Sequence, residues 1–149
     1  MSAEACYRAF RAHYTKAQYH WVQFTTEWLS DCSRAFDGDL QMMLILAVVG
    51  QPHLASANAP QETGTEAPQR SINASRIADV TGIPRETIRR KLDAMAKRGW
   101  VQQHPDASWS IAVVDNETPA RLDLRELEDA AIRKVSRFVA NFVPLVRQT

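Results

Sequence analysis

The chain has 149 residues, of which 45% are hydrophobic and 23% are charged, as is ordinary for one soluble domain with a buried core. Its formal net charge of +1 does not by itself indicate a nucleic-acid-binding protein. Two cysteines, Cys6 and Cys32, are too few for a disulfide framework, and the longest apolar run, Met42 to Val49, is too short to span a bilayer. We therefore expect a single cytoplasmic domain over residues 1–149, without a membrane partner.

A long helix is predicted over residues 2–32, which contain neither proline nor glycine. Apolar residues recur along it at intervals of three and four, which places them on one face. These residues are Tyr7, Phe10, Tyr14, Ala17, Trp21, Phe24 and Trp28. A helix of this length, roughly 45 Å, exceeds what a small domain needs, so we expect part of the face to meet a second copy of the chain.

The same aromatic face has a second interpretation, a small-molecule pocket rather than core and dimer interface. Its ligand-binding residues would be Tyr14, His20 and Trp21. His13 and His20 could share a face, but no acidic or cysteine partner stands at ligand spacing, so no metal site is predicted. No cofactor is predicted either.

A second helix is predicted over residues 37–50. Asp37 or Asp39 can cap it, and the almost wholly apolar run that follows is typical of a helix buried on most sides. Gly50, with Pro52 close behind, is expected to end the helix. Residues 51–70 contain three prolines and no apolar period, so we predict a mobile loop there.

Residues 71–114 are predicted to form two short helices and a β-hairpin. Asn73 or Ser75 can cap the first helix. Gly82 supplies the positive φ angle that a tight bend between helices requires. Pro84 is favoured in the first turn of the second helix. This order of signals predicts a helix-turn-helix.

The second of these helices, predicted over residues 85–98, has one apolar and one basic side. Ile88, Leu92 and Met95 recur at helical spacing and should be buried. Eight lysines and arginines against three acids lie between residues 70 and 100, so a basic face is predicted on an otherwise balanced molecule.

That basic face predicts binding to double-stranded DNA. Arginine can donate two hydrogen bonds to guanine in the major groove, and residues near the N-terminus of such a helix usually reach the bases. We expect base contacts from Arg85, Glu86, Thr87 and Arg89. We expect phosphate contacts from Arg76, Arg90 and Lys91. The alternative is a merely solvated basic face, but the order helix, turn, basic helix, glycine and strand favours DNA.

A hairpin is predicted after Gly99, from Trp100–Gln103 and Trp109–Val113 with a five-residue turn. The segment Ile77 to Val101 (IADVTGIPRETIRRKLDAMAKRGWV) resembles the winged helix-turn-helix of bacterial transcription regulators. With long helices on both sides, the layout is most similar to the MarR (multiple antibiotic resistance regulator) type, while the second helix also resembles that of GntR-type regulators.

This resemblance implies a homodimer on a palindromic operator, often released by a small-molecule effector. The hairpin departs from the MarR-type pattern at its tip. That pattern carries Asp-x-Arg, whereas this chain has Asp106-Ala107-Ser108. His104 is the nearby residue that could replace the arginine in a minor groove.

A C-terminal dimerisation helix is predicted over residues 122–146, with Pro144 kinking or ending it near Val143. Its apolar stripe consists of Leu124, Leu127, Ala131, Val135, Phe138 and Phe142. The stripe has more apolar surface than one small domain can cover, so we expect pairing with the N-terminal helix and with a second subunit.

The sequence therefore predicts a mainly α-helical fold with a small β-hairpin wing: a winged helix-turn-helix flanked by long dimerisation helices. The predicted function is a homodimeric, sequence-specific transcription regulator. The alternative is a winged-helix protein–protein interaction module without specific DNA binding. An enzyme is not predicted, because the sequence has no Gly-rich phosphate loop, nucleophile motif or clustered His/Cys/Asp set.

Overall fold

The structure, a computed structural model, describes residues 2–58 and 70–148. These residues are mainly helical and include a two-stranded antiparallel sheet, which confirms the predicted combination of helices and a hairpin. In chain order the elements are α1 (Ala3–Ala12), α2 (Tyr14–Ala35), α3 (Leu40–Asn58), α4 (Ala74–Thr81), α5 (Arg85–Lys97), β1 (Val101–Gln103), β2 (Trp109–Ile111), α6 (Pro119–Asp123) and α7 (Arg125–Arg147).

The chain divides into two compact units, whereas the sequence predicted one domain. The terminal unit consists of Met1–Gly38 and Arg125–Thr149, and the central unit of Asp39–Leu124. The division arises because the helices at the two ends of the chain bury apolar faces against each other, while the middle of the chain has a core of its own.

The terminal unit contains α1, α2 and α7. The predicted single helix over residues 2–32 is wrong at His13, whose φ of −113° and ψ of 37° separate α1 from α2. Both helices pack on α7 through aromatic rings. Phe10 meets Phe142 with ring centroids 5.9 Å apart, and Phe24 meets Phe138 at 5.6 Å. The break therefore lets both helices use the same partner.

Ion pairs reinforce the contact between α2 and α7. Lys134 donates a hydrogen bond to Asp31, and Arg137 donates one to Glu27. The hydrogen bond from Lys134 is the main cause that holds the pKa of Asp31 below its usual value, with Arg34 adding to the effect. Together with the ring contacts, these ion pairs show that part of the aromatic face is core. This agrees with the core part of the interpretation as core and dimer interface.

The C-terminal helix differs from its predicted bounds of 122–146. The short helix α6 precedes it, and Leu124, with φ −101° and ψ 16°, separates the two. Pro144 does not end α7, which continues to Arg147. Proline removes one backbone hydrogen bond, but its φ near −65° is itself helical, so the chain can run on.

Helix α3 is longer than the predicted helix over residues 37–50. Asp39 caps it, because its Oδ1 accepts a hydrogen bond from the Met42 N–H at 2.9 Å. The helix then passes through Pro52 to Asn58. The predicted loop over residues 51–70 is therefore wrong for residues 51–58. As at Pro144, the φ of proline is itself helical, so Pro52 does not end the helix. Residues 59–69 lie outside the described part of the chain.

By length and composition, α3 is the one helix in the described ranges that could cross a membrane, with a hydropathy of 1.4. The core helix of a soluble protein passes the same test. Met42, Ile45 and Val49 of α3 are buried in the structure. The absence of a membrane partner stays a prediction.

The core of the central unit is formed by α3, α4, α5 and the hairpin. Strands β1 and β2 pair in antiparallel register, Val101 opposite Ile111 and Gln103 opposite Trp109. Ile72 adds an isolated bridge to Trp109, exchanging two backbone hydrogen bonds of 2.8 Å. The hairpin is therefore attached to the chain just before α4 as well as to the end of α5.

Candidate nucleic-acid interface

Local signals in the sequence set the geometry of α4 and the turn after it. Asn73 caps α4, since its Oδ1 accepts a hydrogen bond from the Arg76 N–H at 2.8 Å. Gly82 ends the helix with φ +71°, a left-handed conformation that glycine adopts at little cost. The Thr81 hydroxyl then accepts a hydrogen bond from the Ile83 N–H at 3.2 Å. These contacts confirm the predicted cap and the predicted role of Gly82.

Helix α5 is oriented by its apolar side. Ile88, Leu92 and Met95 are completely buried, as their spacing predicted. Burying this side leaves the opposite side of the helix in solvent, where most of its charged residues lie. The arrangement therefore presents a charged helical surface, as a helix that enters the major groove of DNA requires.

The exposed side of α5 consists of two ridges. Arg85, Arg89 and Asp93 follow one another at intervals of four and form what we call the groove ridge, because all three line a groove beside the helix. The outer ridge consists of Glu86, Arg90 and Lys97, which are exposed and lie outside that lining. The two ridges therefore face different surroundings.

The groove has a volume of about 350 Å³. One wall is the groove ridge, and the other is the hairpin, represented by Gln103, Asp106, Ala107 and Trp109. Residues 73–75, where α4 begins, close one side. Arginine and aspartate side chains thus line the same space, so the groove is polar and carries charges of both signs.

Glu86 and Arg89 form an ion pair on the surface of α5, with Oε1 and Nη1 3.1 Å apart. Both side chains are largely exposed, and such pairs contribute only about 0–1 kcal/mol. Arg89 can therefore exchange this partner for a base or a phosphate at little cost.

Lys91 occupies a different position from the one predicted. Its side chain is 12% exposed, and its Nζ lies 2.5 Å from Oδ2 of Asp39, at the start of α3. Burial raises the pKa of Asp39, but hydrogen bonds from Lys91 and from the Met42 N–H outweigh burial, and the pKa is lowered. Lys91 thus joins α5 to α3, which does not fit the predicted phosphate contact.

His104 also differs from its predicted position. Its half-buried ring makes a hydrogen bond of 2.8 Å between Nε2 and the Ser110 Oγ of β2, so it is not free at the hairpin tip. Asp106 accepts hydrogen bonds from the Ser108 Oγ and N–H at 2.6 and 3.0 Å. These bonds lower the pKa of Asp106. The tip therefore carries a fixed negative charge rather than the predicted histidine.

The other predicted DNA contacts have varied exposure. Arg76 on α4 is exposed and Thr87 is half-buried.

Trp100, directly after α5, lies under the Arg98 guanidinium at 4.9 Å and donates a hydrogen bond of 2.7 Å to Asp123. Sequence reasoning missed this last bond, since no periodic pattern links residues that are 23 positions apart.

The residues predicted to bind a small ligand serve different roles. Tyr14 is exposed, and Trp21 packs on Phe24 and Phe138 with both ring centroids 6.0 Å away. His20 lines a cavity of about 10 Å³, which has room for about one water molecule. The structure does not gather these three side chains around a ligand-sized space in the terminal unit.

Comparison with protein families, with curated proteins and with solved structures returned no match. Within residues 2–58 and 70–148, no three His, Cys, Asp or Glu side chains are grouped as a metal site. The interpretation of the charged surface of α5 therefore rests on its own chemistry.

Proposed function

We propose that the chain is a sequence-specific, DNA-binding transcription regulator, built as a winged helix-turn-helix of the MarR-like type. In this proposal α4 and α5 are the helix-turn-helix, α5 is the recognition helix and β1–β2 is the wing. The observation that carries the proposal is the orientation of α5. Its apolar side is completely buried, and three arginines are exposed to solvent, two of which line a groove.

The exposed arginines supply the two kinds of contact that such binding needs. Arg85 and Arg89 on the groove ridge can each donate a pair of hydrogen bonds to guanine O6 and N7, with Glu86 and Thr87 beside them. Arg90 on the outer ridge and Arg76 on α4 can neutralise phosphates. Lys91 is left out of this set because Asp39 already holds it.

We propose that the regulator acts as a homodimer on a palindromic site. Tyr19, Val22 and Leu29 are 63%, 47% and 46% exposed. Their helical positions lie on the side of α2 opposite Phe24 and Asp31, which face α7. A helix that is apolar on two opposite sides needs a second partner. A second copy would also supply the second recognition helix that a two-fold site requires.

A small-molecule effector and a cytoplasmic location remain part of the proposal through the resemblance to MarR-type regulators. The effector has a direct test. A compound that binds the folded protein raises its melting temperature in proportion to the logarithm of its concentration. A compound that does so and also releases bound DNA would be an effector.

DNA binding is tested by selecting bound sequences from a random duplex pool and measuring their affinity by fluorescence anisotropy at several salt concentrations. We expect inverted half-sites about one helical turn apart and affinity that falls steeply with salt, because each neutralised phosphate releases counterions. A pool without enrichment, together with no salt-sensitive binding at micromolar protein, would contradict the proposal. That result would favour the protein–protein interaction module.

A further inference from the structure

Asp93 is the negatively charged residue of the groove ridge, and attraction to DNA phosphates does not explain its presence there. It follows Arg89 by one helical turn and lines the same groove. Its side chain is exposed, and no hydrogen bond or ion pair engages it within the described ranges 2–58 and 70–148. Its charge is therefore available to whatever enters the groove.

The facing wall repeats the sign of that charge. Asp106 lies on the hairpin side of the groove, where two hydrogen bonds from Ser108 hold it in place. A phosphodiester between the two walls would meet these two carboxylates as well as the guanidinium groups of Arg85 and Arg89. The outer ridge carries Arg90 and Lys97 against Glu86 and lies outside the groove. The groove charges therefore cancel, whereas the outer ridge keeps one excess positive charge, so phosphates are favoured at the outer ridge over the groove.

Base edges differ from phosphates because some of them donate hydrogen bonds to a carboxylate. The exocyclic amine of cytosine donates a hydrogen bond in the major groove, and a carboxylate is its usual partner. Residues 85 to 93 span roughly 12 Å along the helix at 1.5 Å per residue, or about three to four base steps of 3.4 Å. Arginine at the start of the ridge and aspartate at its end can therefore meet different bases of one half-site.

We propose that Asp93 is a specificity-determining residue, which accepts a hydrogen bond from the exocyclic amine of a base, cytosine above all, and offsets the attraction of Arg85 and Arg89 for phosphates. The inference rests on the proposed DNA binding. It explains how a basic helix can discriminate between sequences, because an unpaired acid penalises every site that offers no amine.

The test uses two substitutions of Asp93 and one matched control in the full chain. Asp93→Asn removes the charge but keeps an acceptor oxygen, whereas Asp93→Ala removes both. Asp79→Asn removes an exposed charge on α4 that does not line the groove. Affinities are measured for a duplex selected by the wild type and for a random-sequence duplex at the same salt concentration.

We expect Asp93→Asn to bind random DNA about threefold more tightly, as the loss of one repulsion at roughly 6 Å in water allows. Asp93→Ala should bind random DNA with a similar gain and the selected site about fivefold more weakly, the lower end of what one base contact contributes. Sequences reselected with Asp93→Ala should lose their preference for cytosine at one position.

Equal effects of Asp79→Asn and Asp93→Asn on random DNA would mean that only net charge changes, and this result would overturn the inference. An unchanged selected-site affinity and preference in Asp93→Ala would overturn it as well. In both cases DNA binding by the wild type stands. If the wild type binds neither duplex, the proposed function itself is wrong, and the role of Asp93 falls with it.

Discussion

Replacing Lys91 by methionine distinguishes its structural position from the phosphate contact that the sequence predicted. Methionine keeps most of the length and apolar stem of lysine but removes the ammonium group that holds Asp39. The structure therefore predicts a loss of stability. A phosphate contact would instead predict a loss of DNA affinity and of its salt dependence.

The exposure of the two side chains sets the size of the effect. Breaking a fully buried ion pair by removing one partner costs about 3–5 kcal/mol, and an exposed pair contributes at most about 1 kcal/mol. Lys91 and Asp39 are 12% and 32% exposed, so an intermediate loss of about 2 kcal/mol is expected. For a chain of this size that corresponds to a fall of roughly 6 °C in melting temperature.

The assay is urea unfolding at neutral pH, with Lys97→Met as the control. Lys97 is an exposed lysine on the same helix, and its replacement should change stability by no more than about 0.5 kcal/mol. A double-mutant cycle with Asp39→Asn isolates the ion pair, because asparagine is also a good N-cap and retains the hydrogen bond to Met42.

The pH dependence gives a second measurement of the same pair. Because folding lowers the pKa of Asp39, the contribution of the pair is complete above pH about 5, where the carboxyl is ionised even in the unfolded chain. It is lost as the pH falls through the lowered pKa. The stability difference between wild type and Lys91→Met should therefore shrink in acid.

The opposite pattern would refute this reasoning. If Lys91→Met unfolds at the wild-type urea concentration while the slope of log affinity against log salt falls by about 0.9, then Lys91 contacts a phosphate. In that case Asp39 does not hold Lys91 in solution.

Three further outcomes are expected. Arg89→Ala should reduce discrimination between selected and random DNA by about 1–3 kcal/mol in anisotropy titrations. The control is Arg133→Ala, which replaces an exposed arginine of α7 and should leave discrimination unchanged. If the two variants discriminate equally well, Arg89 does not contact a base. Val22→Glu should convert a dimer to a monomer in light scattering, because it places a charge on the exposed apolar side of α2; a change caused equally by Ala55→Glu on α3 would not support that interface. Ala107→Gly should raise the free energy of unfolding by about 0.5–1 kcal/mol, because Ala107 holds φ +65°, and a destabilised variant would show that the alanine side chain is needed.

The features that the sequence alone predicted are those set by neighbours within a few residues. Ile88, Leu92 and Met95 recur at helical spacing, and all three are completely buried. Asn73 and Gly82 begin and end α4 as their intrinsic preferences require. Local periodicity of this kind also predicted which side of α5 is exposed, and with it the positions of the arginines in the candidate site.

Helix boundaries were predicted less well, because they depend on what surrounds the helix. Gly50 and Pro52 are local stop signals, yet α3 continues past them to Asn58. His13 carries no strong helix-breaking signal, yet it separates α1 from α2. At His13 the break lets both α1 and α2 pack on α7. Past Pro52 no residue up to Asn58 is buried, and the helix continues because the φ of proline is itself helical.

The partners of single polar side chains were decided by the tertiary structure. Lys91 looks like its basic neighbours in the sequence, but packing places it against Asp39, 52 residues away. His104 is held by Ser110 across the hairpin, and Asp93 stands opposite Asp106 in the groove. The sequence does not specify which opposite charge a charged residue will contact. The packing of distant elements determines which charges are neutralised and which remain free to bind.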